Sequence, residues 1–188
     1  MTRQKPVRLL TVAVLGAMLL GRVPADSAPA SRGRVPGDSP DVQVFVTFRS
    51  AAGGYELQVP QGWARITRGS DVRFTSALEG VEVVVRPAAT APTAASVRPR
   101  EAAAMAKAGR SVRITNVRDV QLPGGHAVLV EYTSTSTPDA VTGKSMRLQN
   151  NAYLFFKRGT AATLTVSAPA GTDNVDEWQY MARSFRWL

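Results

Sequence analysis

The sequence predicts an α+β domain whose sheet is largely antiparallel and flanked by helices. Seven or eight short segments are rich in Val, Thr, Tyr and Phe, and several alternate apolar with polar residues, as half-buried strands do. Most successive segments are joined by short turns of Gly, Pro or Asp, which is typical of antiparallel neighbours. Only two segments carry the residue pattern of a helix.

The first two predicted strands each place apolar residues at every second position. Residues 42–49 (VQVFVTFR) place apolar residues at every second position from 42 to 48, with Phe45 on the opposite face. Residues 55–59 alternate through Tyr55, Leu57 and Val59 and end at a Pro60–Gly62 turn. Both therefore predict strands with one buried face.

The next segments predict two strands, a loop and a helix. The strands are DVRFTSA (71–77) and GVEVVVRPA (80–88), joined around Glu79–Gly80. The loop is 87–99, and the Ala-rich segment 100–110 predicts a helix that ends near Gly109. Four more strands are predicted at 111–123, 126–136, 146–159 and 161–169.

The N-terminal segment has the features of an export signal. Three basic residues within the first eight positions precede a 13-residue apolar run at 9–21, and small-residue motifs end at Ala25 and Ala30. The run is shorter than a membrane-spanning helix. We therefore expect a cleaved signal peptide at 1–30, with the choice between cleavage after Ala25 and after Ala30 left open, and no stable membrane span after cleavage.

Two further segments complete the predicted organisation. Residues 31–41 are rich in Pro, Gly, Ser and Arg without apolar periodicity, which predicts a disordered tether. Residues 42–188 are predicted to form a single α/β sandwich domain.

Charge and cysteine content restrict the partners. The full chain carries a formal charge of +9, and cleavage after Ala30 leaves 19 basic and 13 acidic residues, a charge of +6. This charge favours anionic partners, here an anionic wall polymer or lipid, and nucleic acid is not expected for an exported protein. The absence of cysteine excludes disulfides, thiolate metal sites, cysteine nucleophiles and a lipid-modified N-terminal cysteine.

The acidic residues before Trp178 predict a helix start. Val175, Trp178, Ala182 and Phe185 form a stripe at helical spacing. Asn174 followed by Glu177 has the spacing of a capping box. Asp173 and Asp176 complete the acidic cluster, but the segment lacks the alternating ligands and central glycine of a calcium loop. A metal site is the alternative that this pattern leaves open.

The sequence contains few residues that could form a catalytic site. His126 is the only histidine, so a Ser-His-Asp hydrolase would have to use it, and no G-x-S-x-G, H-x-x-x-H or glycine-rich phosphate motif occurs. Glu79, Glu82 and Glu131 could supply an acid and a base, but nothing in the sequence fixes their separation. We therefore predict no catalytic, cofactor-binding or metal-ligating residue, no cofactor and no enzymatic activity.

Aromatic residues mark a central strand. Tyr153 and Phe155 share one face, and Leu154 and Phe156 share the other. Both faces being apolar predicts a strand that is covered on both sides. The alternative is a ligand groove near Tyr153 or near Trp63, which follows the Pro60–Gly62 turn.

Four segments together resemble a known family. They are YELQVPQGW, LPGGHAVLVEY, VTGK and GTDNVDEWQYMARSFRW, and they are similar to segments of the PsbP/Mog-like α/β/α sandwich proteins, in particular secreted and lipoprotein members of bacterial envelopes such as the LpqN-like group. The resemblance covers about residues 53–187. The sequence departs from many envelope members in lacking the lipobox cysteine, which favours a soluble secreted form.

The resemblance implies a central antiparallel sheet flanked by helices and a non-catalytic role. Named members act by binding proteins, PsbP on photosystem II and the Mog protein on the Ran GTPase. Because members share no single ligand, no binding residue is carried over. The residues at family-like positions are expected to maintain the fold: Trp63, Gly124, Gly125, Asn174, Trp178 and Trp187.

The leading hypothesis is an exported, non-catalytic binding protein of the cell envelope or extracellular space. Its partner would be an unknown envelope protein, an anionic wall polymer or a lipid. One alternative is a carrier of a small apolar or lipid ligand, held in a groove between sheet and helix. The second alternative is a hydrolase that uses His126.

Overall fold

The computed structural model describes residues 43–188, which form two antiparallel sheets and two helical regions. The strands are β1 Phe45–Ser50, β2 Tyr55–Pro60, β3 Ala64–Arg68, β4 Asp71–Ser76, β5 Glu79–Pro87, β6 Arg113–Leu122, β7 Gly125–Thr135, β8 Arg147–Lys157, β9 Thr160–Pro169 and β10 Arg186–Trp187. The helical segments are α1 Ala94–Val97, a π-helical turn Arg98–Ala102, α2 Ala103–Ala108 and α3 Val175–Ser184.

The larger sheet carries both cores of the molecule. Its seven strands lie in the order β3-β4-β5-β9-β8-β7-β6, and the smaller sheet has the order β1-β2-β10. The main core fills the space between one face of the large sheet, the small sheet and α3. Its largest fully buried side chains include Tyr55, Phe155 and Phe185. These aromatics bury enough apolar area to dominate the stability of the domain.

A second core lies on the opposite face of the same sheet. Here the continuous helical run 94–108 packs its Val97 and Ala102 on β6, β7 and β8. Leu154 belongs to this core, whereas its neighbours Tyr153 and Phe155 belong to the main core, because successive side chains of a strand point to opposite faces. β8 is therefore covered on both sides, as its sequence predicts.

The fold class is confirmed in its main feature, a largely antiparallel sheet with few helices. Helices lie on both faces, as a sandwich requires. On the α3 face, however, the three-stranded sheet occupies much of the layer. The fold is thus dominated by its sheets, and the α/β/α description is confirmed only in part.

Two predictions for the early strands need correction. Val44, just before β1, and Val46 are 55% and 41% exposed, whereas Phe45 packs on Tyr180 and Phe48 packs on Phe74. The predicted face is therefore only partly right: Phe48 packs on the core, but so does Phe45 of the opposite face, because β1 is an edge strand whose side chains lie at the margin of the core. β3 was not predicted, since all of its residues are exposed and no buried face imposes an apolar pattern.

The turn between β4 and β5 also lies earlier than predicted. It is formed by residues 77–78, with Ala77 at a φ of 48°, and Glu79 and Gly80 already belong to β5. Gly80 is buried opposite Ser167 of β9. The glycine therefore marks close packing within the sheet, not the turn.

The first helix begins within the segment predicted as a loop. Thr93 caps it by accepting the Ser96 N–H, while the Ser96 hydroxyl accepts the Thr93 N–H, a reciprocal capping box. Pro99 falls in the π-helical turn, where the i→i+4 ladder is already interrupted. The prediction of a loop throughout 87–99 is therefore wrong from residue 94 onward, although the end of the helix at Gly109 is as predicted.

Helix α3 has the predicted position but not the predicted cap. Asn174 is its N-cap residue, yet its side chain forms no capping hydrogen bond. The Asn174 amide instead donates to Glu79 Oε1 at 3.2 Å and to Thr172 Oγ1 at 3.1 Å. Val175 is 56% exposed, and Met181 completes the buried stripe in its place.

The N-terminal predictions concern residues outside those that the structure describes. These are the signal peptide 1–30, the tether 31–41 and the position of Val42 in the first strand. Within residues 43–188, no helix is long and apolar enough to cross a membrane.

Candidate functional site

A cleft opens where α3 leaves part of the large sheet uncovered. The C-terminal end of α3 is tied to the small sheet, since Ser184 Oγ accepts the backbone N–H of Gln58 at 2.8 Å and donates to the Met181 carbonyl. The outer strands β6, β7 and the start of β8 extend beyond the helix. The space between them and α3 is about 590 Å³, within the usual size range of ligand sites.

The cleft has an aromatic floor and a polar rim. Tyr153 and Trp178 line it and are 5% and 9% exposed. The rim carries the amide side chains of Gln149, Asn151 and Gln179. Each amide offers both hydrogen-bond donors and acceptors. The rim can therefore form hydrogen bonds with the backbone or polar side chains of a bound segment.

Charged side chains occupy one part of the rim. Glu131 Oε2 accepts a hydrogen bond from Asn116 Nδ2 at 2.8 Å and lies 3.8 Å from Arg118 Nε. Arg183 of α3 lines the cleft from the other side and forms no ion pair with the described residues. Asp119 is also among the lining residues, but its carboxylate is bonded to Ala94 and His126. The charged groups left at the rim are therefore two arginines and one glutamate.

The Tyr153 hydroxyl provides a neutral group in the cleft. Burial raises its pKa above the ordinary value, against the lowering effect of a hydrogen bond with Asn151. The phenol therefore stays protonated at neutral pH and keeps its donor. An aromatic floor with a fixed hydroxyl is suited to recognition more than to proton transfer.

A smaller cavity lies on the other side of α3. Its volume is about 110 Å³, and Trp63, Glu79, Trp178 and Glu177 are among its lining residues. This is below the several hundred Å³ of ordinary ligand sites. Trp63 is half-buried and packs on the main core, so its position favours a role in the fold.

Glu177 at this cavity predicts a pH-dependent stability. Burial raises the pKa of Glu177, and the nearby carboxylates of Glu79 and Asp173 raise it further. A raised folded-state pKa means that stability is lost as the pH rises from the ordinary carboxyl pKa through the folded value. Glu177→Gln is therefore expected to stabilise the domain at pH 7, by less than about 1 kcal/mol because the site is partly solvated.

Urea denaturation at pH 7 and pH 3.5 measures this effect. The gain should vanish at pH 3.5, where wild-type Glu177 is protonated in both states. A gain of equal size at both pH values would show that shape, not charge, is responsible.

His126 lies on the opposite face from the cleft. Its Nε2 is 3.1 Å from Asp119 Oδ1, and the same oxygen accepts the backbone N–H of Ala94 at 3.0 Å. Ala94 is the first residue of α1, so Asp119 fixes the start of the helix to β6. No serine hydroxyl is bonded to His126 among residues 43–188, and the geometry favours a structural role.

Removing this link should weaken the attachment of the helix. Asp119→Ala is expected to lower the free energy of unfolding by about 1 kcal/mol, the usual effect of losing a helix-start acceptor. His126→Ala removes only the exposed partner and should cost less than half as much. Guanidinium denaturation of both variants tests this, and equal losses would contradict it.

The three glutamates singled out by the sequence are not brought together. Glu131 lies on β7 in the cleft, whereas Glu79 and Glu82 lie on β5, three strand positions away, which corresponds to roughly 14 Å. Glu79 and Glu82 also point to opposite faces, since Gly80 and Glu82 share the face of Ser167 and Thr165. Among the described residues there is no group of three or more His, Asp or Glu placed to hold a metal ion.

Sequence reasoning found Tyr153 but missed the rest of the cleft. Gln149 and Asn151 share the Tyr153 face of β8, so strand alternation could have linked them. Arg118 of β6 lies about 60 residues before Gln179 and Arg183 of α3, and the three meet only because the fold brings α3 close to β6. No short sequence motif indicates that these residues lie close together in the fold.

Comparison with solved structures defines the class of fold. The cyanobacterial PsbP protein CyanoP of Synechocystis aligns with a TM-score of 0.59 at 18% identity, covering 81% of this chain and 99% of its own. The Ran-binding protein Mog1p of Saccharomyces cerevisiae aligns with a TM-score of 0.52 at 10% identity, covering 78% and 96%. The fold is therefore PsbP/Mog-like, as the sequence motifs suggest.

LpqN of Mycobacterium tuberculosis, which is involved in cell envelope biogenesis, aligns with a TM-score of 0.44 at 14% identity, covering 76% of this chain and 90% of its own. This likeness is too low to establish the lipoprotein branch. No curated protein matches the chain in sequence.

The sequence itself matches a family model over residues 47–186, that of the serine/threonine kinase C-terminal domain. The chain belongs to this family. The match spans almost all of the described residues, so the two sheets and α3 are the family's domain.

Proposed function

We propose that the chain is an exported, non-catalytic binding domain, and that it recognises a protein of the cell envelope or extracellular space through the cleft beside α3. The cleft carries this proposal. Its buried Tyr153 and Trp178 provide a rigid floor, and its amide side chains can pair with the backbone of an extended segment.

The family name supports a recognition role. It describes a domain at the C-terminal end of serine/threonine kinases, a position outside the catalytic domain that suits ligand or partner recognition. The Ran-binding activity in the name of Mog1p is an example of protein recognition by the same fold, although fold alone does not fix function. The export signal predicted at 1–30 supports an extracytoplasmic location, and the envelope branch resembled by the sequence motifs is part of the same proposal.

The lining of the cleft favours a polar partner over an apolar ligand. Tyr153 and Trp178 are almost fully covered by protein, and the accessible rim consists mostly of amides and charged groups. A carrier of a lipid or another apolar ligand would need accessible apolar walls. The protein-binding hypothesis is therefore preferred to the carrier hypothesis.

Affinity capture with matched variants tests the proposal. The purified chain is used as bait against a cell-envelope extract with low-salt and high-salt washes. The cleft variant Gln179→Ala/Arg183→Ala is compared with Gln61→Ala/Arg68→Ala, which changes the same residue types at exposed positions outside the cleft.

We expect one protein to survive the high-salt wash with wild type and control, and to fall at least tenfold with the cleft variant. Equal recovery with both variants would contradict the cleft. Capture of only an anionic polymer or lipid that salt releases would contradict a protein partner.

A direct measurement tests export. Mass spectrometry of the chain from the culture medium or envelope fraction should show an N-terminus at Asp26 or Ser31. A chain found only in the cytoplasm, with its first 30 residues intact, would contradict this part of the proposal.

A further inference from the structure

The helix-bearing face of the large sheet is only half covered. The apolar contacts of the 94–108 helical run are all with β6, β7 and β8. The same face continues over β9, β5 and β4, where no described helix lines the surface. We call this region the open polar face, and its defining residues are Arg73, Glu82, Tyr132, Asn150, Thr165 and Ser167.

Strand register places these side chains on one surface. Asn150 of β8 lies opposite Ser167 of β9, and Thr165 lies opposite Glu82 of β5. Glu82 in turn lies opposite Arg73 of β4. Directly opposite residues of antiparallel strands point to the same side, so these side chains form two neighbouring rows on one face, Asn150–Ser167 and Thr165–Glu82–Arg73.

The open polar face contains a hollow of about 350 Å³. Asn150 lies at its base, 5% exposed, with its amide donating to Ser134 Oγ at 3.0 Å. Gly80 lines the hollow beside Ser167, and a Cβ at Gly80 would lie 2.9 Å from Ser167 Oγ and displace that hydroxyl. A hollow floored with oriented hydroxyl and amide groups differs from an ordinary flat, solvated sheet face.

Two arginines give the hollow a positive charge. Arg73 lines one side and Arg110 lines the other, both exposed. Neither forms an ion pair with the described residues, whereas Arg86 nearby is paired with Asp71 at 2.7 Å. Glu82 offsets only one of these two charges, and the other acidic lining residue, Glu79, has its carboxylate bonded to Asn174 on the α3 side of the sheet.

Tyr132 adds a protonated hydroxyl to the same face. Burial raises the pKa of Tyr132 to about 12, and the charge of Glu82 contributes to the shift. The phenol therefore remains a hydrogen-bond donor over the whole physiological range.

We propose that the open polar face binds an anionic glycan, a sugar chain that bears carboxylate groups. Sugar hydroxyls both donate and accept, and serine, threonine and asparagine side chains match them. The guanidinium groups of Arg73 and Arg110 suit carboxylates, which they can bind through paired hydrogen bonds. This site lies on the opposite side of the sheet from the α3 cleft. The glycan proposal can therefore be tested independently of the proposed protein-binding function.

Calorimetric titration with oligogalacturonate, a carboxylate-bearing sugar chain, tests the site. Arg73→Gln/Arg110→Gln is compared with Arg118→Gln/Arg183→Gln, which removes the same charge from the α3 cleft. We expect the first pair to weaken binding at least tenfold and the second to change it less than twofold. Equal losses, a loss confined to the cleft pair, or no binding by wild type would overturn the proposal.

A second comparison tests the hydroxyl groups separately from the charge. Thr165→Val keeps the side-chain shape and all charges, and it should weaken oligogalacturonate binding severalfold. Inorganic polyphosphate, which has charge but no sugar, should bind at least tenfold more weakly than oligogalacturonate. Unchanged binding by Thr165→Val, or equal affinity for polyphosphate, would mean that the face attracts polyanions without recognising sugars and would overturn the glycan assignment.

Discussion

Phe185→Ala is expected to lower the free energy of unfolding by about 3–5 kcal/mol, the usual cost of deleting a buried aromatic ring. Phe185 is fully buried, stacked on Phe155 with ring centroids 4.2 Å apart and on Tyr55 at 5.6 Å. Trp187 meets its ring edge-on at 5.3 Å. The ring thus joins the large sheet, the small sheet and the chain after α3, and its loss leaves a cavity between all three.

Guanidinium denaturation followed by tryptophan fluorescence measures this change. Ile66→Ala serves as the control, because Ile66 is 56% exposed on β3, and it should change stability by no more than about 0.5 kcal/mol. A Phe185→Ala variant as stable as this control would contradict the assignment of Phe185 to the centre of the core.

Gly124→Ala is expected to destabilise the domain by about 2–4 kcal/mol, at or above the usual upper range for overpacking. A Cβ at Gly124 would lie 2.4 Å from the Phe185 carbonyl oxygen and 3.2 Å from its carbon. These are backbone atoms of the segment that holds α3 in place, so they cannot move as a flexible side chain would. The β6–β7 turn and the end of α3 would have to separate.

Gly62→Ala distinguishes this steric effect from a conformational one. Gly62 has a φ of 83°, but a Cβ there would meet nothing within 4 Å. Its substitution should cost about 1 kcal/mol, from backbone strain alone. Thermal unfolding should therefore rank Gly124→Ala well below Gly62→Ala, and the reverse order would argue against the contact between Gly124 and Phe185.

The parts of the fold that could be predicted are those where burial imposes a regular pattern. β2 buries Tyr55, Leu57 and Val59 at every second position, and β8 buries both of its faces. The helix after Asn174 follows from the spacing of Trp178 and Ala182. In each case the core lies directly against the element, so the period of its apolar residues reports its structure.

The predictions fail where an element has no buried face, or where a residue distant in sequence binds a side chain that was expected to act locally. β3 buries none of its residues, and edge strand β1 has only half-buried residues, which are divided between its two faces. The expected cap of α3 failed because the Asn174 amide bonds to Glu79, 95 positions earlier in the chain. Local spacing identifies a capping sequence but does not reveal a tertiary partner for the same side chain.

The two candidate sites are the features that the sequence predicts least well. The α3 cleft joins β6 to a helix about 60 residues later, and the open polar face depends on the register of β4, β5, β9 and β8. The net positive charge of the sequence does not indicate where the arginines without an ion pair lie among the described residues. Their division between two faces of one sheet is a property of the topology.

Site-specific photo-crosslinking in the native host tests the central claim most directly. A photoreactive phenylalanine is placed in the full chain at Gln179, on the cleft rim, or at Ile66, which is also exposed but lies on β3 outside the cleft. The proposed function predicts a discrete adduct with one envelope protein from position 179 and none from position 66. Adducts of equal yield from both positions, or an adduct from position 66 alone, would contradict recognition through the α3 cleft.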